Sequence, residues 1–216
     1  MMNMISRLIL LSFLLLNGCT AHISPVLERR PLVQPLPLTV GVYFSPEFRA
    51  YQVKKICILF GSCTFKYDLG PQSVAMFELI LAGMFDSVVA IETLSPQSAS
   101  SLGIAGIIEP KITNFNANLN SMRPDITYQI TLYSPAGVEL GAWEVVGNLR
   151  TTVGVVKFLS DVGELARLAM RDAATTFIKG FRQEPVVKRW LEGANIAPKG
   201  TLSEAGQLNE RNGGQL

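Results

Sequence analysis

Three cysteines and one histidine are the side chains in this 216-residue sequence with the widest chemical reach. Cys19 follows Asn17 and Gly18 at the end of an apolar run. Cys57 and Cys63 stand close together in KKICILFGSCTFKY, and His22 lies three residues past Cys19. A thiolate is a strong nucleophile, so each cysteine is a candidate for acylation or for disulfide formation. His22, beside the first cysteine and remote from the others, reads as a solvated residue rather than the base of a Cys-His pair or a metal ligand. The sequence holds no H-E-x-x-H, no G-x-S-x-G and no phosphate-binding run of Gly and Lys. Carboxylates such as Glu109 and Asp125 exist, but nothing in the sequence makes them converge as a hydrolytic pair. The expectation is a protein with no catalytic set, no metal and no cofactor.

The residues before Cys19 give that thiol its context. Arg7 supplies a positive start, and Leu8 to Leu16 is apolar apart from Ser12. A bilayer core takes roughly 20 apolar residues to span. This shorter run has the layout of a secretory signal peptide over residues 1–18, which takes no part in the fold. Leu16-Asn17-Gly18-Cys19 resembles the lipobox of bacterial lipoproteins. The resemblance implies that Cys19 becomes the mature N-terminus and carries acyl chains on its sulfur and amine. Several such chains, at ~0.8 kcal/mol per buried methylene, hold a protein on a membrane essentially permanently. Thr20 stands where the inner-membrane retention signal of that family has Asp. The implied destination is the periplasmic leaflet of the outer membrane.

Composition narrows the partners. Lys and Arg total 19 against 17 acidic residues, so the chain lacks the field that a nucleic-acid partner needs. Its cations are scattered, without the interleaved aromatics of a single-strand binder. Once the signal is set aside, the remainder suffices for one domain with a sizeable core. Residues 19–37 read as the lipid anchor followed by a tether, because Pro25, Pro31, Pro35 and Pro37 favour extended polyproline geometry. At ~3.1 Å per residue this spacer would reach on the order of 55 Å. Arg29 and Arg30, beside Glu28, read as solvated.

A domain over 38–192 follows. Leu38 to Ser45 has strand composition, and the two runs around Gly61-Ser62 read as a hairpin that sets Cys57 across from Cys63. In an oxidising compartment that pair is the disulfide candidate, with buried free thiols as the other reading. Val74, Phe77, Leu81, Met84, Phe85 and Val88, widened by Ile80, form a helical stripe after Pro71. Glu109-Pro110 interrupts a strand from Ile104 to Leu119 and suggests a bulge or an edge. Ile126, Tyr128, Ile130 and Leu132 alternate with polar residues, and Pro135-Ala136-Gly137 turns that strand into an antiparallel partner. Ser160-Asp161 with Glu164 resembles a capping box. The helix it opens has Leu165, Leu168, Ala169, Ala173, Thr176, Phe177 and Phe181 on one face, with Arg167, Arg171, Lys179 and Arg182 mostly on the other. Pro185 breaks it, and Val186, Val187, Trp190 and Leu191 lie on a short amphipathic piece. The tail 193–216 has the composition of a disordered segment.

This order predicts an α+β fold, a mainly antiparallel sheet covered on one face by two long helices in a two-layer sandwich. From Ile104 onward the pattern resembles the curli-secretion lipoprotein and the lipoprotein activators of penicillin-binding proteins. Those families write a hairpin as G-x-x-L-x-x-W, here Gly137, Leu140 and Trp143, before an Ala-rich closing helix, here ELARLAMRDAATTF. The outer-membrane lipoprotein that assists lipopolysaccharide insertion has a similar plan. The anchor, the proline spacer and the missing catalytic set point to a non-enzymatic accessory or scaffold subunit of an envelope assembly, secretion or transport machine, with an envelope protein complex as partner and self-association left open. Val186, Val187, Trp190 and Leu191 are the candidate partner contact, since aromatic anchors dominate interfaces; packing of that piece back on the sheet is the other reading. The competing function is a carrier domain that holds a lipid or glycan between the sheet and the Phe77, Met84, Phe85 stripe, which requires an apolar cavity there.

Overall fold

The computed structural model describes residues 19–21, 23, 26–57, 63–94, 103–118, 123–148 and 162–194. The strands are β1 (Cys19–Ala21), β2 (Leu36–Tyr43), β3 (Gln52–Cys57), β4 (Cys63–Asp68), β5 (Phe85–Ile91), β6 (Ile107–Asn118), β7 (Arg123–Tyr133) and β8 (Glu139–Asn148). The helices are α1 (Pro46–Arg49), α2 (Leu69–Met84), α3 (Val162–Gly180) and α4 (Pro185–Gly193), with a 3₁₀ turn at Phe181–Gln183 between the last two. The signal segment 1–18, His22, the hairpin tip 58–62, the capping residues Ser160 and Asp161 and the tail 195–216 lie outside the described residues.

β7 shows how directly the alternation of residues becomes a layer. Ile126, Tyr128, Ile130 and Leu132 are all fully buried, while Thr127, Gln129, Thr131 and Tyr133 face the other side. Gly137, at a φ of 78°, closes the turn into β8, where a residue with a Cβ would be strained. Around this hairpin five strands assemble in the order β5-β2-β6-β7-β8. The sheet is mixed rather than mainly antiparallel: β2 runs parallel to both β5 and β6, while β6-β7 and β7-β8 are antiparallel. The parallel half arises because the chain leaves β2, makes the β3-β4 hairpin and α2, and returns beside β2 as β5. Such crossovers need the many intervening residues that this segment supplies.

Pro110 sits within β6, an inner strand, paired with Ile130. Of the two expectations at Glu109-Pro110, the edge is the one found; the register shift lies further on, between Ile112 and Asn114. The reason is local. β2 pairs with β6 only at Ile107 and Ile108, so beyond them β6 is bonded on one side and a missing N–H leaves no partner unsatisfied.

α2 and α3, of 16 and 19 residues, cover one face of the sheet and meet each other through Phe77 and Phe177. The α+β two-layer sandwich is therefore the observed architecture. α2 ends at Met84, and Phe85 opens β5 without a loop, so the stripe read through Val88 stops four residues earlier. Its buried face is Ser73, Met76, Phe77, Ile80, Leu81 and Met84, with Val74 at the margin. On α3 the buried face is turned toward Ala166, Met170 and Ala174, and Thr176 is exposed. Small residues let this helix come close to β8: a Cβ at Gly147 would lie 2.0 Å from the Ala169 carbonyl oxygen.

The core is threaded by aromatic rings. Phe77 touches Phe48, Tyr128 and Phe177; Phe177 touches Phe181; Phe181 meets Phe85 and Trp143; Phe85 meets Trp190. Tilted and edge-on pairs of this kind add about 0.5–1.5 kcal/mol each beyond the area they bury. β3, β4 and β1 form a second sheet in the order β1-β4-β3, joined to the same core by Tyr67, which packs edge-on against Phe115.

The stretch read as a free spacer is docked on the domain. β1 pairs in parallel with β4, Ile23 and Val26 are buried in the main core, Pro31 rests on Gly83, and Leu36 already belongs to β2. Arg182 donates from Nη2 to the Gln34 carbonyl at 2.6 Å, tying the same stretch to the end of α3. The apolar residues around the first proline account for this: Ile23, Val26 and Leu27 gain more from burial than an extended solvated spacer would offer.

Candidate functional site

The residues singled out in the sequence fall in separate places. Cys19 is the first residue of β1, and its backbone pairs with Phe65 of β4, followed by Thr20 with Lys66 and Ala21 with Tyr67. The residue expected to carry lipid therefore belongs to the folded domain, not to the far end of a linker. Arg29 and Arg30 are exposed, as expected for solvated cations.

Cys57 and Cys63 are direct partners at the last rung of the β3-β4 ladder. Directly opposed residues on antiparallel strands have Cα separations of roughly 4.5–5.5 Å, which falls within the span a disulfide bridges. The hairpin register thus agrees with the reading of the sequence.

The α4 residues lie where a partner cannot reach most of them. Val186 and Val187 are buried, Trp190 is 9% exposed, and Leu191 packs at the edge of the same core. Trp190 donates from Nε1 to the Ala105 carbonyl at 3.0 Å, and its ring lies over Gly106, where a Cβ would come within 3.0 Å. Of the two readings of Val186, Val187, Trp190 and Leu191, the packing observed is the one back onto the domain: this amphipathic turn finds its apolar surface there. Pro185 at the first helical position starts α4 rather than merely ending α3, and turns the chain back onto Phe85.

Among the described residues, the Phe77, Met84, Phe85 stripe is packed rather than hollow. Those side chains are buried among Phe48, Tyr128, Phe177, Phe181 and Trp190. A shallow groove of about 270 Å³ lies on the outside of Met84 instead, lined by Val33, Gln34, Met84, Ile178 and Arg182.

The fold also separates the carboxylates. Glu109 is level with Thr131 and Asp125 with Asn116, six positions apart along β7 or roughly 20 Å at ~3.4 Å per residue. That exceeds the 9.5 Å or so at which two carboxylates share a glycosidic bond. Glu109 instead accepts a hydrogen bond from the Tyr133 hydroxyl at 2.8 Å, and Asp125 accepts one from the Asn114 side-chain amide at 3.0 Å. No group of His, Cys, Asp and Glu suited to a metal ion occurs among the described residues.

Two polar features were not legible in the sequence. Ser73 and Tyr128, both fully buried, share a hydrogen bond of 2.9 Å between α2 and the centre of the sheet. Burial pushes the Tyr128 phenol far above its ordinary range, so it stays neutral and structural. On the opposite face of the sheet Ile91, Ile104 and Ile107 form a small second cluster with Tyr43, Val89, Leu94 and Tyr133 at its margin. Burial, the hydrogen bond to Glu109 and the charges of Glu109 and Glu139 push the Tyr133 phenol up to about 12. Only a partner segment 55 residues away in sequence reveals the first, and only the fold of 103–106 over β2 reveals the second.

No protein-family model and no curated protein matches the sequence. Among solved structures, the chain is similar to a Xanthomonas campestris protein of the DUF330 family, with a TM-score of 0.45, 8% identity, and coverage of 75% of this chain and 92% of that one. An uncharacterized protein gives a TM-score of 0.40 at 11% identity, covering 76% and 99%. A subunit of the PelC dodecamer from Paraburkholderia phytofirmans gives 0.35 at 10% identity, covering 67% and 96%. At such TM-scores none of them assigns this chain a family or a function. No helix among the described residues is long and apolar enough to cross a membrane.

Proposed function

We propose that this protein is a lipoprotein anchored through acylated Cys19 to the periplasmic leaflet of the outer membrane, where it serves an envelope assembly, secretion or transport machine as a non-enzymatic accessory subunit. The observation that carries the reading is the junction at Cys19. An apolar run too short to span a bilayer ends in Leu-Asn-Gly-Cys, and the backbone of that cysteine pairs with Phe65 of β4. The separated carboxylates and the filled aromatic core favour a binding scaffold over a hydrolase or a carrier. Fixing such a scaffold to one membrane raises its effective concentration toward any partner there, so a modest interface suffices. Self-association belongs to the same reading.

The test is fractionation followed by in-cell crosslinking. Wild-type protein sediments with outer membrane and crosslinks into a larger assembly, whereas the Cys19→Ser chain keeps its signal and does not. Recovery of the wild type as a soluble, uncrosslinked monomer would refute the proposal.

A further inference from the structure

The pairing of β1 with β4 places two lysines level with the anchor. Thr20, next to Cys19, is the register partner of Lys66, and Lys66 is the antiparallel partner of Lys54. Three adjacent strands thus form one row, Thr20-Lys66-Lys54. Directly opposed residues have Cβ atoms about 4.5–5.5 Å apart, and like charges so placed repel. Asp68 offsets part of this, its Oδ1 lying 3.3 Å from the Lys66 ammonium nitrogen. Lys54 is exposed, and among the described residues no carboxylate pairs with it. Tyr67, the neighbour of Lys66 on the opposite side of β4, is buried in the core, so the lysine row lies on the outward face of the three-stranded sheet.

We propose that this row is a membrane-docking ledge: with Cys19 acylated, Lys54 and Lys66 rest on anionic lipid headgroups and fix the domain against the bilayer. The inference rests on the lipid-anchor reading above. A strand that begins at the lipidated residue leaves no free linker, so the bilayer surface falls within a few residues of the row. The field of anionic lipid acts within about a Debye length, ~8 Å at physiological salt. A spacer reaching on the order of 55 Å would have removed these lysines from it. The net positive charge of two lysines against one carboxylate complements that surface. Each basic side chain held there favours contact about five-fold. The domain is thereby presented in one orientation rather than swinging on a tether.

Amine labelling of the acylated mature protein tests this, using a neutral reagent and peptide mapping. Vesicles of phosphatidylcholine alone are compared with vesicles containing about 30% phosphatidylglycerol, a surface that attracts basic residues. The unacylated Cys19→Ser chain, expressed without residues 1–18 and free in solution, gives the reference rates. Lys54 and Lys66 are expected to react about five-fold more slowly on the anionic vesicles than in solution, while Lys179 on α3 and Lys188 on α4 keep their rates. Equal rates for Lys54 and Lys66 in all three settings, on protein whose N-terminal mass shows the acyl chains, would overturn the ledge and leave the anchor standing. An N-terminal mass without acyl chains would overturn the anchor, and the ledge with it.

Discussion

Replacing Trp190 by alanine separates a core residue from a contact surface. In the fold, Trp190 is 9% exposed, lies over Gly106, meets the Phe85 ring at 6.4 Å and donates a 3.0 Å hydrogen bond to the Ala105 carbonyl. Truncation leaves a cavity under α4 and an acceptor without its donor. Trp→Ala changes at such sites cost about 3–5 kcal/mol. At about 2–4 °C per kcal/mol for a chain of this size, the melting temperature falls by roughly 6–20 °C. Trp190→Phe keeps a ring against Phe85 and Gly106 and removes the donor, so its cost is nearer 1–2 kcal/mol. Urea unfolding of the unacylated mature chain, followed by far-UV circular dichroism, measures both. The order wild type, Phe, Ala with an unchanged slope is expected. If Trp190→Ala stays within about 0.5 kcal/mol of wild type, as substitutions on a free surface do, then α4 is not packed as described and the contact-patch reading returns.

Other outcomes follow from the same structure. Ser73→Ala and Tyr128→Phe each strand a buried hydroxyl and cost about 1–3 kcal/mol, whereas the double variant costs no more than the worse single one; additive losses in a double-mutant cycle would show the two hydroxyls to be uncoupled. For Cys57 and Cys63 we expect a bond in protein taken from an oxidising compartment. Its reduction should lower stability by about 2 kcal/mol, from the loop-entropy relation for so short a ring; non-reduced peptide mapping that finds both thiols free would end that expectation. The Tyr133 phenol, pushed up to about 12, favours the fold in its neutral form. Its contribution is complete below the ordinary tyrosine pKa of about 10 and is lost as pH rises toward 12. The phenolate absorbance difference between wild type and Tyr133→Phe should titrate near 12; a midpoint near 10 would mean that Tyr133 is neither buried nor bonded to Glu109.

How far the sequence could be read depended on whether a signal was local. The alternation in β7 and its turn at Pro135-Ala136-Gly137 carry their own periodicity, so the hairpin and its buried face emerged directly. The cysteine register followed from two strand-like runs separated by a short turn. What the sequence hid was long-range pairing. Nothing in Leu38 to Ser45 marks it as a strand with parallel neighbours on both sides, nor shows that its β6 pairing stops short of Pro110. The prolines of 25–37 suggested extension, while Ile23, Val26 and Leu27 decided that the segment packs. Val186 and Trp190 have the same amphipathic spacing whether they face a partner or a sheet, and only the position of Gly106 and Phe85 settles which. The lysine row depends on a three-residue strand that no pattern announces.

The claim at the centre of this account is decided by intact mass analysis of the N-terminal peptide from membrane-extracted protein. The account predicts a peptide that starts at Cys19 and carries a diacylglyceryl group on its sulfur and a fatty acyl chain on its amine. A peptide that retains residues before Cys19, or one that starts there with a free thiol and a free amine, would contradict it.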